Sequence, residues 1–450
     1  SARTPPVITG QWLFTASDKG EVFALDAKTG CTHWTFQANA AVRTAIAVVP
    51  STSADGSTKY LALFGDTQAN AYALDAETGS LLWTRAIENH PNGSITGAPA
   101  VHDGQVYFPV SASGEEVRGT NPDYACCTFR GSVSALDLAT GEVIWKTYSI
   151  QQEPAPRGTS TTGVQLFGPA GAGIWNSPAI DVDRNVLYVG TGNGFAEPQP
   201  PTTDSIIAMD LDSGAIRWVQ QTTPNDVWLY QCESEANRNN TNCPTVQGPD
   251  HDFGASPILV TTRSGRELII ATQKSGMVYA MDPDANGAIV WSYRIGEGSD
   301  LGGQWGAATD GENVYVGVAD TLSAAPGGLH AIDLESGQRN WFAPPRPTLC
   351  EGGAAQRCFA AQGAAVSVIP GAVFSGGSDG GLRAYSTADG SLLWEYDTNR
   401  SFDTVNGVTA AGATIDSTGP VVVDGMVYVN SGYSGIVGRG GNVLLAFAAE

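Results

Sequence analysis

The chain has 450 residues, with 55 glycines, 25 prolines and a formal charge of −22. So acidic a balance leaves no basic excess to neutralise phosphates, which argues against nucleic acid and anionic membrane surfaces as partners and fits a basic protein such as an electron carrier. No apolar run reaches bilayer-spanning length, so no membrane insertion is expected, and many Gly and Pro between short apolar runs predict an all-β protein.

In chain order, one pattern recurs: Ala, one residue, Asp, then a Gly turn and a Trp. It reads ALDAKTGCTHW ending at Trp34, ALDAETGSLLW at Trp83, ALDLATGEVIW at Trp145, AMDLDSGAIRW at Trp218, AMDPDANGAIVW at Trp291, AIDLESGQRNW at Trp341 and, more weakly, AYSTADGSLLW at Trp394. Two further β-like runs precede each copy, such as AVHDGQVYFPV before the third, so each unit is a four-stranded antiparallel meander with a period of roughly 50 to 70 residues. A last unit, PVVVDGMVYVNSGY then NVLLAFAAE, has three strands. Such units predict an eight-bladed β-propeller, and with no linker in sight residues 1–450 are expected to form one domain. The fourth strand of the last blade either comes from residues upstream of Ser1 or is absent. The chain opens without a methionine, as a processed chain would.

The repeated Trp is expected to start each outermost strand and pack on the neighbouring blade, while the Asp and Gly close the turn before it. That accounts for seven of the 11 tryptophans and leaves Trp12, Trp175, Trp228 and Trp305. Of the seven cysteines, Cys232 with Cys243 and Cys350 with Cys358 are close pairs in polar loops, which points to an oxidising compartment, periplasmic or extracellular. Adjacent Cys126 and Cys127 fit either a vicinal disulfide or two buried thiols, and Cys31 has no evident partner.

The innermost strand of a meander blade begins, and the second strand ends, on the same face of the ring, because the second runs back antiparallel. Residues that break the repeat fall at these two positions. Before innermost strands stand Arg43, Thr96, Trp175, Asp252, Trp305 and, assigned to the eighth blade, Asn406; after second strands stand Glu115 and Glu116, Asn193 and Lys274. Trp175 and Asn193 bracket one hairpin, WNSPAIDVDRNVLYVGTGN, which puts a flat aromatic face and an amide oxygen at one end of a sheet. Glu, Asn and Asp supply hard oxygen ligands suited to calcium. Arg43 is suited to a carboxylate, Trp175 to stacking on a planar ring, and Asp252 beside Lys274 to staying ionised as a base. A planar, carboxylate-rich cofactor bound with calcium fits these demands.

Repeat and hairpin together resemble the pyrroloquinoline quinone (PQQ) alcohol dehydrogenases, eight-bladed quinoproteins with a Trp-docking motif in most blades. The resemblance implies that Trp175 lies under the quinone and that Asn193 is a calcium ligand. It makes Glu116 of SGEE the ligand carboxylate, with Glu115 as its rival or a contact of the cofactor. Asp252 in HDFGASPIL matches the catalytic base, placed also within reach of the metal, Lys274 in QKSG the basic residue at the quinone oxygens, and Arg43 in AVRTA the contact to a PQQ carboxylate. Thr96, Trp305 and Asn406 are implied as further wall residues. Several segments, GCTHWTFQANAAVRTAI, CCTFRGSV, NCPTVQGPDHDFGASPIL, LGGQWG and VNSGY, are similar to the polyvinyl alcohol dehydrogenase group. Two departures stand out. The larger alcohol dehydrogenases carry their adjacent cysteines near the arginine of the second blade, whereas Cys126 and Cys127 fall in the third. Members of the polyvinyl alcohol group often carry a cytochrome c domain, but this sequence has no CxxCH for haem.

The expected reaction is oxidation of a secondary alcohol to a ketone. Asp252 takes the hydroxyl proton, hydride passes to the quinone, calcium and Lys274 stabilise the developing charge, and electrons leave to a cytochrome c. The polar loop from Thr223 to Asp250 leads straight into Asp252 and is expected either to border the substrate entrance or to be a surface excursion. A PQQ dehydrogenase for another alcohol or a sugar, and a cofactor-free propeller scaffold, are the alternatives; the scaffold has no reason to gather these residues on one face.

Overall fold

The computed structural model describes residues 3–52, 56–112, 114–237, 239–298, 302–303, 305–350, 357–433 and 438–448. Eight antiparallel sheets follow one another along the chain and form the blades, spanning 7–37, 47–86, 100–148, 179–221, 258–294, 308–343, 367–397 and 421–448. The first seven are four-stranded meanders with the strands in sequence order; the third gains a short extra strand, Gly93–Ser94, paired to the end of Gln105–Ala112. The eighth has three strands, Val421–Val423, Met426–Ser431 and Val443–Ala448. Middle strands are apolar on both faces because each sheet is covered by a blade on either side: Ser205–Asp210 is buried throughout, whereas the outer strand Leu81–Ala86 buries little besides Trp83.

Five copies of the repeated Trp dock their blade to the next through one bond. The indole N–H of Trp34 donates to Ala76 O, and those of Trp83, Trp145, Trp291 and Trp341 to Leu138, Leu211, Leu334 and Thr387 O, all at 2.9–3.0 Å. Each ring also covers the turn glycine of the following repeat; Gly79 at φ 71° lies against Trp34, where a Cβ would be 2.6 Å from the ring. The glycine is therefore fixed twice, by its left-handed backbone and by the ring over it.

Closure joins blade eight to blade one through the Tyr428 hydroxyl, which donates to Ala27 O at 3.1 Å, and through the packing of Leu13, Ala27 and Tyr428. A further hairpin, Ser401–Asp403 with Thr409–Ala411, stands between blades seven and eight. Its tip places Val405 over Gly30, the turn that a Trp of blade eight would otherwise dock against. Cys232–Cys243 and Cys350–Cys358 are disulfides as expected; Cys126 and Cys127 are bonded to each other and fully buried, and Cys31 is an exposed free thiol. Among the described residues no helix is long and apolar enough to cross a membrane.

Candidate active site

One face of the ring carries a cavity of about 510 Å³, within the range of small-molecule sites. Of the ten candidates, Arg43, Thr96, Glu116, Trp175, Asn193, Asp252, Lys274 and Trp305 line it. They come from segments leading into innermost strands or leaving second strands, where the meander brings successive blades together around the axis.

Asp252 is 5 % exposed and held at both oxygens: Oδ1 accepts the Asn193 backbone N–H at 2.8 Å, and Oδ2 the Lys274 ammonium at 3.0 Å. Lys274 also donates to Asp250 Oδ1 at 2.8 Å, and its backbone N–H to Asp252 O at 3.0 Å. Burial works against the ammonium, but Asp250, Asp252 and Glu116 outweigh it and hold Lys274 well above the ordinary lysine value. Burial, then the charges of Asp250 and Asp252, push Glu116 well above the ordinary carboxylate range, with Lys274 pulling the other way. The acids thus outnumber the one cation among them.

Trp175 forms the floor. Gly254 passes so close that any Cβ there would collide with the indole, so a glycine is required beside it. Trp305 meets Trp175 edge-on at 5.6 Å between centroids and 82° between planes, and the Lys274 Nζ lies 5.6 Å from the Trp175 ring centroid. Opposite the acids, Arg43 Nη2 donates to the Tyr433 hydroxyl at 3.3 Å, and the Arg3 guanidinium lies over the Tyr433 ring at 5.2 Å.

Arg3, Thr67, Asp416, Ser417 and Tyr433 also line the cavity and were not among the candidates. The positional rule, applied to the ends of the second strands of blades two and eight, reaches Thr67 and Tyr433; applied before Val421–Val423, it reaches Asp416. Burial pushes Asp416 up to about 6, against the Ser417 N–H and the Trp305 indole.

Two candidates fall elsewhere. Asn406 sits exposed at the tip of the extra hairpin, where its side-chain oxygen accepts from the Thr404 hydroxyl at 2.7 Å. Counting that hairpin as the innermost strand of blade eight misplaced it, and Asp416 holds the position assigned to Asn406. Glu115 is fully buried away from the cavity: Oε1 accepts from the Tyr124 hydroxyl (2.8 Å) and Thr128 N–H (3.1 Å), and Oε2 from Phe129 N–H (2.9 Å). Its side chain ties down the segment around Cys126 and Cys127 instead of facing the cavity, and neither cysteine lines the cavity. No described residue of 223–250 lines it either. The loop passes behind the wall: Tyr230 N–H donates to Glu116 O at 3.2 Å, and Trp228 O accepts the Asn193 side-chain amide at 3.1 Å.

A family model described as glucose/ethanol/alcohol dehydrogenase, β-propeller domain, matches residues 1–243, and one for the outer membrane protein assembly factor BamB matches 129–438. The chain is 42 % identical to a polyvinylalcohol dehydrogenase of a Pseudomonas species and 40 % identical to one of Sphingopyxis sp. strain 113P3, in each case over 98 % of this chain and 70 % of the relative. It belongs to the PQQ-dependent alcohol dehydrogenase family. In fold it also resembles the crystal structure of quinohemoprotein alcohol dehydrogenase from Comamonas testosteroni, with a TM-score of 0.68, 19 % identity, and coverage of 98 % of this chain and 71 % of that one.

The side chains fit the family's quinone. The flat Trp175 indole is suited to a planar ring, and two guanidiniums, of Arg3 and Arg43, line the same cavity and are suited to carboxylates. For a cation the informative atom is Asn193 Oδ1, which is buried without a hydrogen-bond partner. Its orientation is set by Asn193 Nδ2, which donates to Gly194 O at 2.9 Å and to Trp228 O. Among the described residues no three His, Cys, Asp or Glu converge into a metal site by themselves; Glu116 and Asp252 line the cavity with Asn193, whose amide oxygen is a donor of the hard type that calcium takes.

Proposed function

We propose that this chain oxidises secondary alcohol groups to ketones, with polyvinyl alcohol as the substrate that presents them, using PQQ and calcium in the cavity described above. The observation that carries the reading is the juxtaposition of Asp252, fixed by Lys274 and the Asn193 N–H, with the partnerless Asn193 Oδ1 above the Trp175 floor. The relatives named polyvinylalcohol dehydrogenase, alike over nearly the whole chain, support the substrate.

When bound, PQQ supplies the two-electron acceptor for the carbinol hydride, and calcium, held by Glu116, Asn193 and Asp252, a Lewis acid. Asp252 accepts the substrate hydroxyl proton at a carboxylate oxygen. Lys274 keeps that carboxylate oriented and offers positive charge to developing negative charge nearby. Trp175 and Trp305 present apolar surface that excludes water from the reacting atoms. Arg43 orients the cofactor through a carboxylate. Residues 1–450 act as one propeller domain in the periplasm or outside the cell, a reading the disulfides support, and the electrons go to a cytochrome c.

The test is dye-linked turnover of the purified chain on polyvinyl alcohol, a small secondary alcohol and a primary alcohol, with and without PQQ and calcium. Activity that needs both additions, is lost to a chelator and is greatest on the polymer is expected. Binding of neither PQQ nor calcium would move the protein to the assembly-scaffold class that the match over 129–438 represents.

A further inference from the structure

The loop that leads into Asp252 is drawn together by one carboxylate the reaction does not use. Asp226 is fully buried. Its Oδ1 accepts the Asp250 N–H at 3.1 Å and its Oδ2 the His251 N–H at 2.7 Å, so the backbone just before Asp252 hangs from this side chain. Its own backbone faces the other way. Asp226 O accepts the Gly194 N–H at 2.9 Å, and Val227 bridges to Gly194, whose carbonyl accepts the Trp228 N–H at 2.8 Å. Trp228 O in turn accepts one of the Asn193 side-chain protons, the bond that turns Asn193 Oδ1 to its buried, partnerless side. Gly248 allows the crossing: its N–H donates to Val227 O at 2.8 Å, and a Cβ there would collide with Asp226 Oδ1.

We infer that Asp226 is a positioning residue of the cation site, a clasp that ties the backbone following Asn193 to the backbone preceding Asp252 and so presets the spacing of the two oxygen donors. The inference rests on the calcium-bound reading of the cavity. Its physical basis is preorganisation: two donors in loops of different blades keep a common spacing only if their segments are joined. The Asn193 N–H to Asp252 Oδ1 and the Phe253 N–H to Thr191 O join them on one side, and the buried Asp226 carboxylate with its two N–H donors adds the joint on the other. The Cys232–Cys243 disulfide closes the loop farther out, so it supports the clasp without contacting either donor.

The experiment measures calcium binding to the PQQ-loaded chain by calorimetry, comparing wild type with Asp226→Asn, alongside melting temperature and the calcium dependence of turnover. Asparagine keeps one acceptor and turns a donor toward an N–H, so the calcium dissociation constant is expected to rise about 10- to 100-fold, the usual cost of losing an outer-shell partner. Turnover should recover at excess calcium; because calcium would also rescue a merely destabilised fold by mass action, the affinity is read well below the melting temperature of the variant, where the chain is folded without calcium. An unchanged calcium affinity in folded Asp226→Asn would overturn the clasp, whereas wild type that binds no calcium would overturn the reading beneath it. Should the variant not fold, hydrogen exchange on the calcium-free wild type decides. The Asp250 and His251 amides should already be protected without calcium; protection that appears only on calcium addition would mean that the cation, and not Asp226, sets the geometry.

Discussion

At the outer rim, five tryptophans repeat one interaction, an indole N–H to a carbonyl of the next blade with a glycine under the ring, while at the central face the blades contribute different sets of groups. Blade four offers Trp175 and Asn193, blade five Asp252 and Lys274, blade two Arg43, blade eight Asp416 and Tyr433. The rim solves one packing problem many times, so its residues are interchangeable in kind. The face brings distinct charges within hydrogen-bond reach once, so its members act as a unit. Substitutions at the rim should therefore cost stability and spare chemistry, and those at the face the reverse.

Asp252→Asn is the strongest way to sharpen that contrast. Losing a general base should lower turnover by about 10² to 10⁴-fold. PQQ binding and the melting temperature should stay near wild type; retained turnover in steady-state assays would remove Asp252 from its role.

At the rim, Trp83→Ala removes a ring that is 6 % exposed together with its bond to Leu138 O, at an expected cost of about 3 to 5 kcal/mol. Chemical denaturation should show this, while the calcium and PQQ affinities of the folded fraction stay unchanged. A fall in cofactor affinity of the same size would break the separation of rim from face.

A pH effect belongs to the packing between blades, away from the central face. His330 is buried in the third strand of blade six, between Tyr293 and Phe342, and burial followed by the Arg339 charge lowers it to about 4. Its folded value lies below the unfolded value near 6.5, so the unfolded chain takes up the proton first. Stability from this group is complete above about pH 6.5 and falls as pH drops toward 4, by on the order of 3 kcal/mol. Melting curves between pH 4.5 and 7.5 should show a smaller drop for His330→Phe than for wild type.

The smallest expected effect is at Asn406. Exposed at a hairpin tip, it should tolerate Asn406→Ala within about 0.5 kcal/mol and with unaltered PQQ affinity. A weakened cofactor would return it to the cavity.

The amino-acid sequence alone determined the eight units, the docking role of the repeated Trp and most of the face, because each rests on local periodicity and on a topological rule: a meander returns its second strand to the side where its first began. Trp175, Asn193, Asp252 and Lys274 were legible for that reason. Glu115 and Glu116 were not separable in this way, since adjacent residues share the rule; only the fold shows Glu115 turned to three donors at the Cys126–Cys127 turn and Glu116 facing the cavity. Asn406 failed because an added hairpin imitates a strand pair, and strand counting cannot see which pair joins the sheet. The Asp226 clasp lay deeper still. Its partners are about as far from it in sequence as the loop is long, and a carboxylate acquires two backbone donors only when the chain closes on itself. Local pattern thus specified which residues break the repeat, and tertiary closure decided which of them meet.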